Sequence, residues 1–382
     1  MRTYFKLLAV SLCLFSTVSF ASPTIVPPHY EIIVDAGSSG SRLHLFQYTQ
    51  YRGLPTITDI FSENVKPGLS SFASHPNDAG ASLGKLLADA NTQLQTLHVN
   101  PNQVKISVMA TAGMRLLSTD QQQAIYASVT SYVQTHSSFV IREIDTIPGK
   151  MEGLYGWLDV NYLQQNLQNE VNTVGSIDMG GASTQIAFAT RDNTDPNNEV
   201  QFTLLGKRYT VFSISFLGLG QDQAFATMEN NSNANTCFPT GYTDSKIAAG
   251  TFNYSTCQSL YTNVINSHNV MQELMANNQQ DFIAYSGTYY DLSFFTNVGN
   301  LPQPTQLADL IQQTCSESWG QLSGEHPGDK YLSGYCGNAI YVSDLLFNAY
   351  QLQNTQLSVA TQINGHDIDW TLGALVYHLT QE

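Results

Sequence analysis

Two stretches of this 382-residue chain are built to one pattern. In the first, Glu31-Ile32-Ile33-Val34-Asp35 runs into Ala36-Gly37-Ser38-Ser39-Gly40-Ser41 and then into the alternating segment Arg42 to Tyr48. In the second, Val174-Gly175-Ser176-Ile177-Asp178 runs into Met179-Gly180-Gly181-Ala182-Ser183-Thr184-Gln185 and then Ile186 to Ala189. Each is an apolar strand, an aspartate, a run of small residues and a second strand, which spells a β-hairpin with a glycine-rich turn. Neither carries the Gly-Lys-Ser/Thr that opens a helix in a Walker loop. One copy stands near the start of the chain and the other near its middle. A repeat at that spacing predicts two related α/β lobes rather than a solenoid.

The segments between and after the hairpins agree. Val104 to Ala110 and Phe139 to Ile144 read as strands, and Asp120 to His136 as a helix. Gly153 to Leu167 places Leu154, Trp157, Leu158 and Tyr162 at helical spacing. Ala339 to Tyr350 and Asp369 to Thr380 read as helices, while Arg191 to Glu199 and Asn230 to Asn235 read as surface loops. Such alternation predicts mixed or parallel sheets covered by helices. We expect a first lobe over 22–157, completed by a C-terminal helix over 355–382, and a second lobe over 158–354.

Residues 1–21 read as a secretory signal peptide. Arg2 and Lys6 are followed by an apolar stretch from Leu7 to Phe20 and the small-x-small pattern Ser19-Phe20-Ala21. That stretch is too short for a membrane span, and nothing later is longer. The formal charge of the full chain is −15, and removing Arg2 and Lys6 makes the remainder more acidic still. An acidic surface repels phosphate backbones, which disfavours nucleic acid as a partner. Four cysteines remain beyond the leader, Cys237, Cys257, Cys315 and Cys336, as two local pairs in the second half. An even count in an exported chain points to two disulfides, and nearest-neighbour pairing is preferred among the three connectivities. No C-x-x-C pair or histidine cluster supports zinc instead.

The hairpin turns have the composition of anion cradles. Glycines let backbone N–H groups approach a ligand, and Ser38, Ser39 and Ser41 add hydroxyl donors. Two such cradles facing each other can hold a polyphosphate. Asp35 and Asp178 can then hold one hydrated Mg2+ or Ca2+, since Mg2+ retains several waters and takes few protein ligands. Glu152, in Ile147-Pro148-Gly149-Lys150-Met151-Glu152-Gly153, sits among small and apolar residues where partial burial would raise its pKa toward that of a useful base. Arg115, closing Ala110-Thr111-Ala112-Gly113-Met114-Arg115, is placed to hold a phosphate or to orient Glu152.

With these residues in view, the chain resembles the apyrases, or nucleoside triphosphate diphosphohydrolases, of the actin, sugar-kinase and heat-shock-ATPase superfamily. The family's five regions occur in order: Ile33 to Arg42, Ala110 to Arg115, Ile147 to Trp157, Asp178 to Ile186, and a looser Tyr331 to Val342. The resemblance implies two ribonuclease-H-like lobes around a central cleft. It implies that Glu152 is the catalytic base, that Ser183 and Gln185 position the attacking water, and that Arg115 assists. By the same resemblance Asp35 and Asp178 hold metal-bound waters, with Thr111 and Trp157 as further support. Ser38, Ser39, Gly40, Ser41 and His44 fall with the first phosphate loop, and Gly180, Gly181 and Ala182 with the second. Tyr341 falls where the family stacks the nucleotide base.

The activity implied is that of a secreted, divalent-cation-dependent apyrase acting on nucleoside tri- and diphosphates. Rival readings are a polyphosphatase or sugar kinase of the same superfamily, and a catalytically silent nucleotide-binding module. Glu152, Ser183 and Gln185 argue against the last.

Overall fold

The computed structural model describes residues 27–50, 53–169, 172–191, 196–270 and 280–381. The expected signal peptide over 1–21 lies outside these residues, as do positions 192–195 of the expected loop.

Strand β1 (His29–Ala36) has Ile32 and Val34 on one face and Ile33 on the other, all fully buried. It pairs antiparallel with β2 (Ser41–Thr49), which pairs antiparallel with β3 (Thr56–Val65). On its other edge β1 runs parallel to β4 (Lys105–Ala110), and β4 runs parallel to β5 (Val140–Thr146). The order is β3-β2-β1-β4-β5.

The second sheet repeats this plan. Its strands are β6 (Gly175–Met179), β7 (Ser183–Ala189), β8 (Glu199–Leu204), β9 (Lys207–Leu217), β10 (Phe282–Ser286) and β11 (Leu357–Val359). The order β9-β7-β6-β10-β11 copies β3-β2-β1-β4-β5, with the same pairing senses and with β8 added at one edge. The registers correspond as well: Asp35 lies opposite Arg42 in the first hairpin, and Asp178 opposite Gln185 in the second.

Three apolar layers hold the sheets. Helices α1 (Gly84–Thr96) and α2 (Thr119–His136) cover the outer face of the first sheet. Helix α2 opens on a Ser118/Gln121 capping box, which satisfies two of its end N–H groups. Helices α3 (Gly149–Leu163) and α7 (Trp370–Gln381) fill the space between the two sheets. The outer face of the second sheet packs against α4 (Tyr254–Asn266), α5 (Pro304–Cys315) and α6 (Leu332–Ser343). There Cys237 is bonded to Cys257 and Cys315 to Cys336, the nearest-neighbour pairing.

Helix α3 begins at Gly149, a turn earlier than the apolar periodicity indicates, because Pro148 stands at its N-cap. Glu152 therefore falls in its first turn. Residue 157, where the sequence divides the lobes, lies inside this shared helix. The C-terminal segment 355–382 is helical only from Trp370. Leu357 and Val359 are buried and Ser358 exposed, the alternation of a strand, and they extend the second sheet as β11. An Asn364-Gly365 turn, both residues at positive φ, then closes the small ribbon β12 (Gln362–Ile363) and β13 (His366–Asp367).

The two inner helices cross closely. A Cβ on Gly373 of α7 would stand 1.9 Å from the Tyr155 carbonyl oxygen of α3. Backbone on both sides cannot yield, so Gly373→Ala should destabilise the protein by about 3 kcal/mol or more. A lowered denaturation midpoint would show this, and an unchanged midpoint would contradict the crossing.

Candidate active site

The aspartates end their strands on the inner faces of both sheets, and the two turns that follow meet across a cleft. The cleft is lined by Asp35, Gly37 to Arg42 and Thr111 of the first lobe and by Asp178 and Gly180 to Ser183 of the second, with Glu152 between them. The turns are close: a Cβ on Gly181 would lie 2.7 Å from Ser38 Oγ. Each turn is backed by a glycine, Gly68 after β3 and Gly220 after its counterpart β9. A Cβ on Gly68 would meet the Gly37 and Ser38 carbonyl oxygens at 2.5 Å, and one on Gly220 would meet the Ala182 and Ser183 amides at 2.4 and 2.3 Å. Only glycine allows backbone to pack on backbone this tightly.

Glu152 is 7 % exposed. Arg115 Nη2 donates to its Oε2 at 2.6 Å and to Ser183 Oγ at 3.1 Å, while Nη1 donates to the Ile147 carbonyl at 3.2 Å. Gln185 Nε2 donates to Ser183 Oγ at 2.6 Å and to Ser215 Oγ at 3.0 Å. Ser183 Oγ thus accepts two hydrogen bonds, and its own proton remains available to donate. Gln185 Oε1 is buried without a partner, an acceptor ready for a water. Burial raises the Glu152 pKa, and the Arg115 guanidinium opposes that rise. Both effects suit a carboxylate that is ionised yet basic enough to take a proton.

Asp35 and Asp178 sit in a second, more acidic group. Burial holds Asp35 well above the ordinary carboxylate range, reinforced by the charges of Asp369 and Glu152. Burial pushes Asp178 up to about 7 against a hydrogen bond from Ser286, with Glu152 and Asp369 adding to the rise. Asp35 Oδ1 has no hydrogen-bond partner. Among the described residues no three His, Cys, Asp or Glu side chains form a direct cage for a metal ion. Two facing carboxylates with a free buried oxygen fit a hydrated cation held through its waters.

A family model for the GDA1/CD39 (nucleoside phosphatase) family matches residues 26–382. The chain belongs to the GDA1/CD39 family. It is 30 % identical to "Probable apyrase 3" of Arabidopsis thaliana, over 91 % of this chain and 82 % of that protein. It is 28 % identical to ectonucleoside triphosphate diphosphohydrolase 2 of Mus musculus, over 91 % and 81 %. A solved nucleoside triphosphate hydrolase from Neospora caninum aligns with a TM-score of 0.63 at 17 % identity and covers 92 % of each chain. A Ppx/GppA family member of Aquifex aeolicus aligns at 0.55 and 14 %, covering 93 % of this chain and 99 % of that one. These two likenesses establish the two-lobed actin-like ATPase fold, and family membership makes the chain an enzyme of the nucleoside phosphatase class.

Within this GDA1/CD39 fold three residues stand elsewhere than the sequence indicates. His44 does not reach the first phosphate loop. It is 5 % exposed, and its two ring nitrogens face Asp59 and Asp369. Trp157 is fully buried in the layer between the sheets, edge-on to Phe202 and Tyr209, and leaves the cleft wall to others. Tyr341 is 1 % exposed, tilted against Tyr261, with its hydroxyl donating to the Leu219 carbonyl at 2.5 Å. It presents no face on which a base could stack. The fifth region instead supports the second loop. Asn338 and Gln221 donate to Asp291 Oδ1 at 3.3 and 3.2 Å, and the Gln221 backbone N–H donates to the Gly180 carbonyl at 2.9 Å.

The sequence reading passes over several cleft residues: Arg42, Lys66, Tyr285, Ser286, Asp369 and Trp370. Arg42 had a signal, since it stands at the phase in the first hairpin that Gln185 occupies in the second. Asp369 and Trp370 enter from the far end of the chain and had none.

Replacing Tyr341 by Phe removes one buried hydrogen bond and should lower stability by about 1 kcal/mol. The KM for nucleotides should stay at the wild-type value. A several-fold rise in KM without loss of stability would return Tyr341 to the base site.

Proposed function

We propose that this enzyme removes the terminal phosphate of nucleoside tri- and diphosphates by direct attack of water, with Glu152 as the base. The observation that carries the reading is the Glu152–Arg115–Ser183–Gln185 group standing between two facing phosphate cradles. Arg115 keeps Glu152 ionised and orients it. Gln185 Oε1 and the Ser183 hydroxyl align the water. As its oxygen bonds to the terminal phosphorus, its proton passes to Glu152. The bridging P–O bond then breaks, releasing inorganic phosphate and a nucleotide one phosphate shorter. Backbone amides of the Gly37 to Ser41 turn and of Gly181 and Ala182, with the serine hydroxyls, stabilise the phosphoryl oxygens. A divalent cation, Mg2+ or Ca2+, held through water by Asp35 and Asp178 with Thr111 beside them, would neutralise charge on the polyphosphate.

The base is assigned to the exposed aromatic rim of the second lobe. Tyr290 is 61 % exposed and stands in the neighbourhood of Arg42 of the cleft. An exposed aromatic face accepts any base, which suits broad nucleotide use. Export is supported by the leader-like 1–21 segment and by the two disulfides. No helix among the described residues is long and apolar enough to cross a membrane.

A phosphate-release panel over nucleoside tri-, di- and monophosphates and long-chain polyphosphate tests the assignment. Release from the first two alone is expected, and release from polyphosphate alone would overturn it. Glu152→Gln should cut kcat by about 100-fold or more with an unchanged circular-dichroism spectrum. Turnover at the wild-type rate would remove Glu152 from the mechanism.

Cation binding should also show in stability. Asp178 has a raised folded pKa of about 7, so in EDTA its ionisation weakens the fold as pH rises from the ordinary carboxylate range through about 7. Added Mg2+ or Ca2+ should therefore raise Tm more near pH 8 than near pH 5. Equal shifts at both would place the cation elsewhere.

A further inference from the structure

His44 does not line the cleft, yet its ring reaches Asp369, which does. Its ring lies on the inner face of β2, stacked on Phe46 with centroids 5.7 Å apart. Nδ1 is 2.6 Å from Asp59 Oδ2 on β3, and Nε2 is 3.3 Å from Asp369 Oδ2. Nδ1 hydrogen-bonds Asp59, while Nε2 faces Asp369 at ion-pair distance without hydrogen-bond geometry, and a carboxylate at each nitrogen favours the imidazolium. Burial opposes this charge, but Asp369 and Asp59 outweigh it and raise the His44 pKa to about 10.

Asp369 is the residue that this imidazolium holds. It immediately precedes α7, and its Oδ1 accepts from the Thr371 N–H at 2.9 Å, closing the first turn of that helix. Its own backbone N–H donates to Asp159 Oδ2 on α3 at 3.0 Å. Arg42 Nη1 reaches its Oδ2 at 3.4 Å. Asp369 and Trp370 form part of the cleft wall. Behind them lies a separate cavity, lined by His44, Asp59, His366, Asp367 and Thr371, and Asp369 borders both spaces. The His44–Asp369 pair is thus a partition, with the cleft carboxylates on one side and a second recess on the other.

We propose that His44 is a positioning residue for hydrolysis: clamped between Asp59 and Asp369, it locks the start of α7 to the first sheet, fixes Trp370 in the cleft wall, and keeps the Asp369 carboxylate paired instead of competing with Asp35 for the cleft's cation. The proposal rests on the hydrolytic reading above. It differs from a packing role, because Phe46 supplies the packing while the two ring nitrogens supply the registration.

Three variants of the full chain test it: His44→Gln, Asp59→Asn, and Phe46→Leu as a packing control that leaves every charge in place. Misplacement of a cleft wall by a fraction of an ångström should lower kcat in His44→Gln by roughly tenfold to a hundredfold, with KM within about twofold. Asp59→Asn should act in the same direction, and the double variant should be no worse than His44→Gln, because both remove one clamp. Phe46→Leu should lower Tm without that loss of kcat. Stability against pH gives a readout independent of turnover. The groups around the imidazolium are Asp59 on β3, Asp369 before α7, Asp159 on α3, Arg42 on its own strand, and His366 and Asp367 of the ribbon. With a folded pKa of about 10 above the ordinary 6.5, His44 stabilises fully below 6.5 and loses that contribution as pH rises through about 10. His44→Gln should lack that alkaline loss. Wild-type kcat in His44→Gln, or a kcat loss in Phe46→Leu that matches it at equal Tm, would overturn the proposal. Absence of nucleotide hydrolysis in the wild type would instead overturn the hydrolytic reading, and the alkaline stability difference would still report on the clamp.

Discussion

Four carboxylates converge on one cleft, and the rest of the molecule is arranged so that they can coexist. Glu152 and Asp369 raise the pKa values of both Asp35 and Asp178, and Asp178 adds to the rise at Asp35. Buried like charges are costly unless each finds a counter-charge. Arg115 answers Glu152, and His44 with Arg42 answers Asp369, which despite burial is held well below the usual carboxylate range. Among the described residues Asp35 and Asp178 form no ion pair, and Arg42 offsets their charge only in part. In the proposed mechanism that division of labour leaves the two hairpin aspartates as the pair that would draw an external cation, and leaves Glu152 to deal with water.

The fold places these charges by doubling one unit. Each lobe offers the same hairpin from the same sheet edge, and each sends one helix into the space between the sheets. The inner helices α3 and α7 follow β5 and β11, the corresponding strands of the two copies. Glu152 rides on the first of these helices, and Asp369 heads the second. The cleft is therefore furnished four times by one architecture, twice from hairpins and twice from helix starts.

The hairpins were legible in the sequence because a tight phosphate cradle needs small residues in consecutive positions, and that leaves a local signature. The disulfide pairing was legible for the same reason of nearness along the chain. Glu152, Ser183, Gln185 and Arg115 could be named from short segments, and the structure brings them within hydrogen-bonding reach. What depends on distant parts of the chain was not legible. Asp369 and Trp370 arrive from the C-terminus, and Gly68 and Gly220 matter only because another backbone lies against them. Tyr341, Trp157 and His44 show the converse. Residue type and neighbourhood suit a ligand, but helical and strand phase turn all three inward, and only packing decides that. Strand β11 was missed because three residues are too few to outweigh an expected helix.

The two copies are not equal in how they are held. The segment between β4 and β5 contains a single long helix, whereas the one between β10 and β11 has grown into a helical arm that includes α5 and α6. Both disulfides lie in the second lobe, one fastening the turn before α4 to that helix and the other joining α5 to α6. Closing loops of 20 and 21 residues removes on the order of 3 kcal/mol each from the disordered chain's advantage. The first lobe has no such cross-link. The second lobe, whose enlarged arm carries the Asn338 support of the second hairpin turn, is thus the part whose order depends on the redox state of its surroundings. In a reducing compartment one jaw of the cleft would stand on its own packing while the other lost its fastening.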